Sequence, residues 1–342
     1  MRSMKRKRSR KNVFRKNKKT KKNVKKYSRK NKMNKMNKMR GGVQDDEEDE
    51  YNEDFLERIR KNDPTLTKIY FESLKLDTAE ANKLANALKA NNIIETINMN
   101  RTNDITTIAL AEALKADNTK IKYVILTRSQ ITKIGADALA KALLVNKTLE
   151  KLDIGFNRIG FNNGIIDLAD ALKKNSTLTT LKINWNSIND SAKAIASALI
   201  DNSTLKQLDI SGNSINDAGA EAFAEALKVN STLKELSIAR NNITNKGAND
   251  ILEALKTNTT LTRLDTFDNR IYDDIEELIK EKIIKNIQNQ SQIDTTPVNN
   301  TLTPVNNTPT PTNSTPSPAI NTPVMLLNNP KANPDENENS EA

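Results

Sequence analysis

Apolar residues return along the middle of the chain in one order, Leu-x-x-Leu-x-Ile-x-x-Asn-x-Ile. Copies begin at Leu66, Ile94, Ile121, Leu149, Leu178, Leu205, Leu233 and Leu261, at steps of 28, 27, 28, 29, 27, 28 and 28 residues. Eight copies at so steady a period mark a stack of like units, each burying its faces on its neighbours. In the clearest copy Leu208 and Ile210 alternate with Gln207 and Asp209, the pattern of a short strand with one buried side. Ala220, Phe223, Ala224 and Leu227 then recur at helical spacing. Each unit therefore predicts one strand and one helix. Strands pack about 4.8 Å apart and helices are about 10 Å across, so the stack is expected to bend, strands inside and helices outside.

Asn213 stands where the chain turns after the strand, with Asn157, Asn186, Asn241 and Asn269 as counterparts, and these predict a ladder of amides satisfying backbone groups. Leu74 and Ser129 replace the asparagine early on, and the second copy reads as shifted by one, to Asn103. Terminal repeats need covers. Phe55, Leu56 and Ile59 suggest a leading helix, and Ile275, Leu278, Ile279, Ile283 and Ile287 a charged closing helix with one apolar side.

Charge divides the 342 residues sharply. Residues 1–40 hold 21 Lys or Arg and no acid, against a whole-chain net of +11, so the remainder is −10 and the folded body is expected to be acidic. The organisation expected is a disordered basic arm (1–42), an acidic linker (43–54), the repeat domain with capping helices (55–290) and a disordered Thr/Pro/Asn-rich tail (291–342). Nine of the ten prolines fall between Pro297 and Pro334. No apolar run reaches 18 residues, and the basic start lacks the apolar stretch of a secretory signal, so an intracellular protein, nuclear or cytoplasmic and off the membrane, is expected. Sequons such as Asn175-Ser176-Thr177 then follow from the repeat consensus alone.

The chain has no Cys and no His. That removes disulfides, thiolate zinc sites, Ser-His-Asp and Cys-His nucleophiles and most hydrolase chemistry. No phosphate-binding Gly-rich loop with a Lys-Ser/Thr ending exists, and Gly135, Gly164, Gly219 and Gly247 are taken up by the repeat. The reading is of a non-enzyme with no cofactor and no metal.

The unit, extended through Gly-Ala-x-x-Leu-Ala-x-Ala-Leu-Lys, resembles the ribonuclease-inhibitor subfamily of leucine-rich repeats, found also in NOD-like receptor sensor domains and Ran GTPase-activating proteins. The resemblance spans roughly residues 62–290. It implies an α/β right-handed solenoid, a horseshoe with parallel strands on its concave face and helices on its convex face, and a protein ligand on the concave face. The chain is expected to be a monomer.

By register, outward positions of the strand face carry Asp153, Lys182 and Asp209, and a later column carries Arg101, Arg128, Phe156, Trp185 and Arg240. Trp and Arg are frequent interface anchors, so a partner patch centred on Phe156 and Trp185, the only Trp, is predicted. Stacking of these aromatics merely on each other is the plainer alternative. In the arm, Lys5-Arg6-Lys7-Arg8 fits a nuclear import signal; the arm also suits non-specific, salt-dependent nucleic-acid binding, or a tail folded back on its own acidic residues. The leading function is a protein-interaction scaffold. GTPase activation in the manner of the Ran family and a nucleic-acid-associated structural role are the alternatives.

Overall fold

The computed structural model describes residues 49–117 and 119–293; what was expected of the arm, most of the linker and the tail lies outside them. Helix α1 (Glu53–Arg60) leads. The repeats then alternate as β1 (Lys68–Glu72), α2 (Thr78–Ala90), β2 (Thr96–Asn100), α3 (Asp104–Leu114), β3 (Tyr123–Ile125) and α4 (Lys133–Leu143). They continue as β4 (Lys151–Asp153), α5 (Gly164–Lys174), β5 (Thr180–Lys182), α6 (Ala192–Asp201), β6 (Gln207–Asp209), α7 (Asp217–Val229), β7 (Glu235–Ser237), α8 (Asn245–Ala254) and β8 (Arg263–Asp265), and α9 (Asp273–Ile293) closes. Short 3₁₀ turns precede α5 and α6. The eight strands form one parallel sheet in chain order, as the repeat predicts: this is a leucine-rich-repeat solenoid.

Strands β1 to β7 each turn at least one apolar residue into the core. Ile69, Ile97, Val124, Leu152, Leu181, Leu208 and Leu236 are all at most 2 % exposed, and helix residues such as Leu139, Leu168, Ile195 and Phe223 meet them. Caps start the helices where they start. Asp77 and Glu80 form a capping box, and Asn103, Thr132, Asn216 and Thr244 each accept a first-turn amide. Asp104 and Asp217 also reach the following repeat, accepting from Thr132 and Gly135 and from Thr244 and Gly247 respectively.

The amide ladder is present at Asn157, Asn186, Asn213, Asn241 and Asn269. Asn213 Oδ1 accepts from the Asn186 and Ile188 amides, and its Nδ2 donates to the Ile183, Ile210 and Ser211 carbonyls. Ser129 stands in for it by accepting from Thr102 N–H and donating to Met99 O. The expected shift to Asn103 does not occur. Thr102 fills the ladder position and Asn103 is the α3 cap, because a capping oxygen is worth more one residue later, where free helix amides begin. A second ladder flanks the other end of the strands. Asn91, Asn146, Asn175, Asn202, Asn230 and Asn258 each donate to a carbonyl of the preceding unit and accept the amides entering their own strand. The sequon asparagines of this ladder, Asn146, Asn175, Asn202, Asn230 and Asn258, are thus buried and already bonded.

Three further expectations change. Leu278 and Ile287 are exposed, since the buried stripe of α9 is Ile275, Ile279 and Ile283 and then passes to Asn286, which continues the second ladder by donating to Asn258 and Leu261 carbonyls. The body is not acidic: residues 49–293 carry 32 Lys or Arg against 34 Asp or Glu, a net −2, and the acids that make up −10 lie mainly in the linker and tail. The end of the acidic run is also built into the fold. Asp49 pairs with Tyr70 on β1, and burial pushes its carboxyl up from the usual range against the pull of the Tyr70 amide and Arg58. Beside it Tyr51 packs edge-on to Phe71, donates to Glu80 O at 2.9 Å, and is pushed up to about 12 by burial and the nearby Glu80 and Glu53.

Candidate binding surface

The strands carry two outward columns. The predicted one pairs Tyr70, Asn98, Ile125, Asp153, Lys182, Asp209, Ser237 and Asp265 across consecutive strands. The other, outside the predicted set although the same alternation locates it, lies two residues earlier, at Lys68, Thr96, Tyr123, Lys151, Thr180, Gln207, Glu235 and Arg263. They split the face in two. Over repeats 1–4 a shallow groove is lined by Lys68, Tyr70, Asn98, Tyr123, Ile125 and Lys151. Over repeats 5–8 another carries Lys182, Asp209, Glu235, Arg263 and Asp265 among its lining residues. Asp153 sits between Ile125 and Lys182 in register, and burial raises its carboxyl above the usual range, opposed by the Gly155 amide and Lys182.

The column with Phe156 and Trp185 is not on the strands. It lies just past their ends, and every member from Ser73 through Arg101, Arg128, Phe156, Trp185, Gly212 and Arg240 to Asp268 has φ between +53° and +65°. A left-handed turn costs a non-Gly residue about 1–2 kcal/mol, and here it breaks the strand alternation so that the side chain swings to the margin of the sheet. Hydrogen bonds hold it there: Phe156 N–H donates to Asn184 O at 2.8 Å and Trp185 N–H to Ser211 O at 2.9 Å.

Along that margin the rings of Phe156 and Trp185 stack, centroids 5.8 Å apart and planes within 13°. The Arg128 guanidinium covers the outer face of Phe156 at 5.1 Å. At the other end Trp185 lies over Gly212, where an added Cβ would come within 2.6 Å of the ring. The two aromatics remain 42 % and 41 % exposed, and Phe161, absent from the predicted set, is 59 % exposed in the one-residue-longer loop of the same repeat as Phe156. That 29-residue step was the available signal for it.

So Arg128, Phe156 and Trp185 come together. Arg101 and Arg240 do not join them: Arg101 pairs with Glu72 at 2.8 Å, and Arg240, beyond Gly212, faces Asp268 at 3.7 Å. Asp153, Lys182 and Asp209 form a neighbouring row on the strands. Lys5, Arg6, Lys7 and Arg8 lie outside the described residues. Among the described residues no group of three or more acids is placed to hold a metal ion, and no helix is long and apolar enough to cross a membrane.

Comparison with known proteins agrees on the repeat class. Residues 145–169 match the Leucine Rich repeat family, and residues 183–302 match the TMOD/LMOD Leucine-rich domain. Leiomodin-2 of Rattus norvegicus is 33% identical over 133 residues, 38% of this chain and 24% of leiomodin-2. Leiomodin-1 of Homo sapiens is 32% identical over 130 residues, 37% of this chain and 22% of its own length. The chain thus spans about a quarter of these relatives. A solved structure of leiomodin-1 actin-binding site 2 superposes with TM-score 0.42 at 23% identity, over 46% of this chain and 91% of that one. The chain is a leucine-rich-repeat protein.

Proposed function

We propose that this protein is a non-enzymatic, intracellular interaction module that holds a protein partner at the margin of its sheet, around Arg128, Phe156 and Trp185. The carrying observation is the half-exposed stack itself: a guanidinium, a phenyl ring and an indole in one line, fixed by a rigid backbone ladder. Anchors with little side-chain freedom left to lose favour binding. The row Asp153, Lys182 and Asp209 supplies polar contacts beside it.

Actin is the partner to test first, on the strength of the sequence match to leiomodins. Binding of full-length protein to monomeric and filamentous actin, and pull-downs from lysate, are compared with Trp185→Ala. Loss of an anchor weakens binding tenfold or more, about 1.4–3 kcal/mol, while the exposed position leaves the melting temperature nearly unchanged. Equal binding by a folded Trp185→Ala variant removes the stack from the proposal, and no binding to either actin form removes actin.

A GTPase-activating role requires an arginine ready to reach a bound GTPase, whereas Arg101 and Arg240 face carboxylates and Arg128 lies on Phe156; the geometry favours binding. Affiliation with the ribonuclease-inhibitor subfamily rests on the repeat consensus. Nuclear or nucleic-acid roles for residues 1–40 rest on their charge, and salt-titrated nucleic-acid binding with and without them is the measurement.

A further inference from the structure

The two edges of the sheet are finished differently. At the first, Asp49 engages both outward groups of Tyr70: its N–H donates to the Tyr70 carbonyl and its carboxylate accepts the Tyr70 amide, each at 2.9 Å. The last edge lacks this closure. Arg263 N–H donates to Lys234 O and Asp265 O accepts from Ile238 N–H, so residues 263 and 265 bond inward to β7. The N–H and C=O of Leu264 therefore point away from the sheet, and no described residue bonds them. Such an edge is a template for another strand.

Exposed apolar side chains follow this edge in the chain. Phe267, Tyr272, Leu278, Ile284 and Ile287 are all between 45 % and 70 % exposed, and Leu264 is only partly covered where its counterpart Leu236 is 1 % exposed. Ile287 shares a cleft with Arg263. At the opposite end Phe55, Leu56 and Ile59 are all buried.

We propose that the β8 end is a self-association surface whose occupant is a second copy of this chain, paired antiparallel about a two-fold axis at Leu264. Charge selects that occupant. In a hydrogen-bonded antiparallel pair the two Leu264 residues exchange both N–H···O bonds, and Arg263 of each copy then stands opposite Asp265 of the other. Arg-Leu-Asp is its own electrostatic complement when reversed, the property a two-fold interface demands of a strand. The flanking apolar side chains add area that a three-residue ribbon lacks. This surface is separate from the Phe156–Trp185 margin and replaces the expectation of a monomer.

Sedimentation equilibrium of the full-length protein at about 0.15 M salt, where the basic arms are screened, is the test. A monomer–dimer equilibrium is expected. Arg263→Asp sets like charges opposite twice and weakens it about tenfold or more; adding Asp265→Arg to the same chain restores it. Phe267→Asp, at a 60 % exposed position, weakens it as well and serves if Arg263→Asp disturbs folding. A monomer at every concentration overturns the proposal, whether the edge is bare or covered by residues 294–342. A dimer indifferent to both single changes overturns it too, because its seam is then elsewhere.

Discussion

Repeats 5 and 6 and repeats 2 and 3 solve one problem with different side chains. In the later pair, fully buried Asn186 and Asn213 meet backbone groups of two neighbouring units through both ends of the amide. In the earlier pair the same positions hold Thr102 and Ser129, also fully buried. Ser129 recovers part of the pattern with one hydroxyl, while Thr102 Oγ1 has no partner at all. An amide offers two donors and an acceptor in a plane, a hydroxyl one donor and an acceptor at a single atom. The following rung is unaffected: Asn157 accepts from the Ser129 and Ile131 amides as Asn213 does from those of Asn186 and Ile188. A ladder in a solenoid thus tolerates a poor rung where the following rung is sound.

Removing a good rung is expected to have the largest effect. Asn213→Ala strands the buried Asn186 and Ile188 amides and should lower stability by about 3–5 kcal/mol in urea unfolding; because coupling between neighbouring units carries solenoid stability, the transition should also broaden or divide. Ser129→Ala leaves a single N–H donor, that of Thr102, without its acceptor and takes one bond from the Met99 carbonyl, each at 3.2 Å, and should cost about 1–2 kcal/mol. A loss equal to that of Asn213→Ala would show that the hydroxyl rung is no poorer than the amide. Thr102→Val, which removes the unpaired oxygen and keeps the shape, should raise stability by about 0.5–1 kcal/mol. A loss on that change would mean the Thr102 hydroxyl has work that its surroundings do not reveal.

Much of this was legible in the chain. The period located every strand and the amide ladder from Asn157 to Asn269, because spacing and residue type act together there. The second ladder was less visible: Asn175 stood out only as a sequon, and nothing local says that its amide, like those of Asn202 and Asn230, turns back to the preceding helix. Left-handed turns at Arg128, Phe156 and Trp185 were hidden because none of these residue types advertises positive φ; the conformation is imposed by the hydrogen bond to the next repeat. Hence the pattern reads Phe156 and Trp185 as strand-face positions, whereas they stack at the margin of the sheet. The helix periodicity of α9 misjudged Leu278 and Ile287, since pattern alone cannot tell which part of a capping helix still faces a repeat.

One directional property of the first ladder reaches beyond the folded state. All five partners of the Asn213 side chain (Ile183, Asn186, Ile188, Ile210 and Ser211) precede it in the chain, and those of the Asn186 and Asn241 side chains do likewise. During synthesis, which runs from the N-terminus, each such asparagine leaves the ribosome after everything it must grip has already been made. The seam is vectorial, and the nascent solenoid can be fastened unit by unit in the order in which it is born.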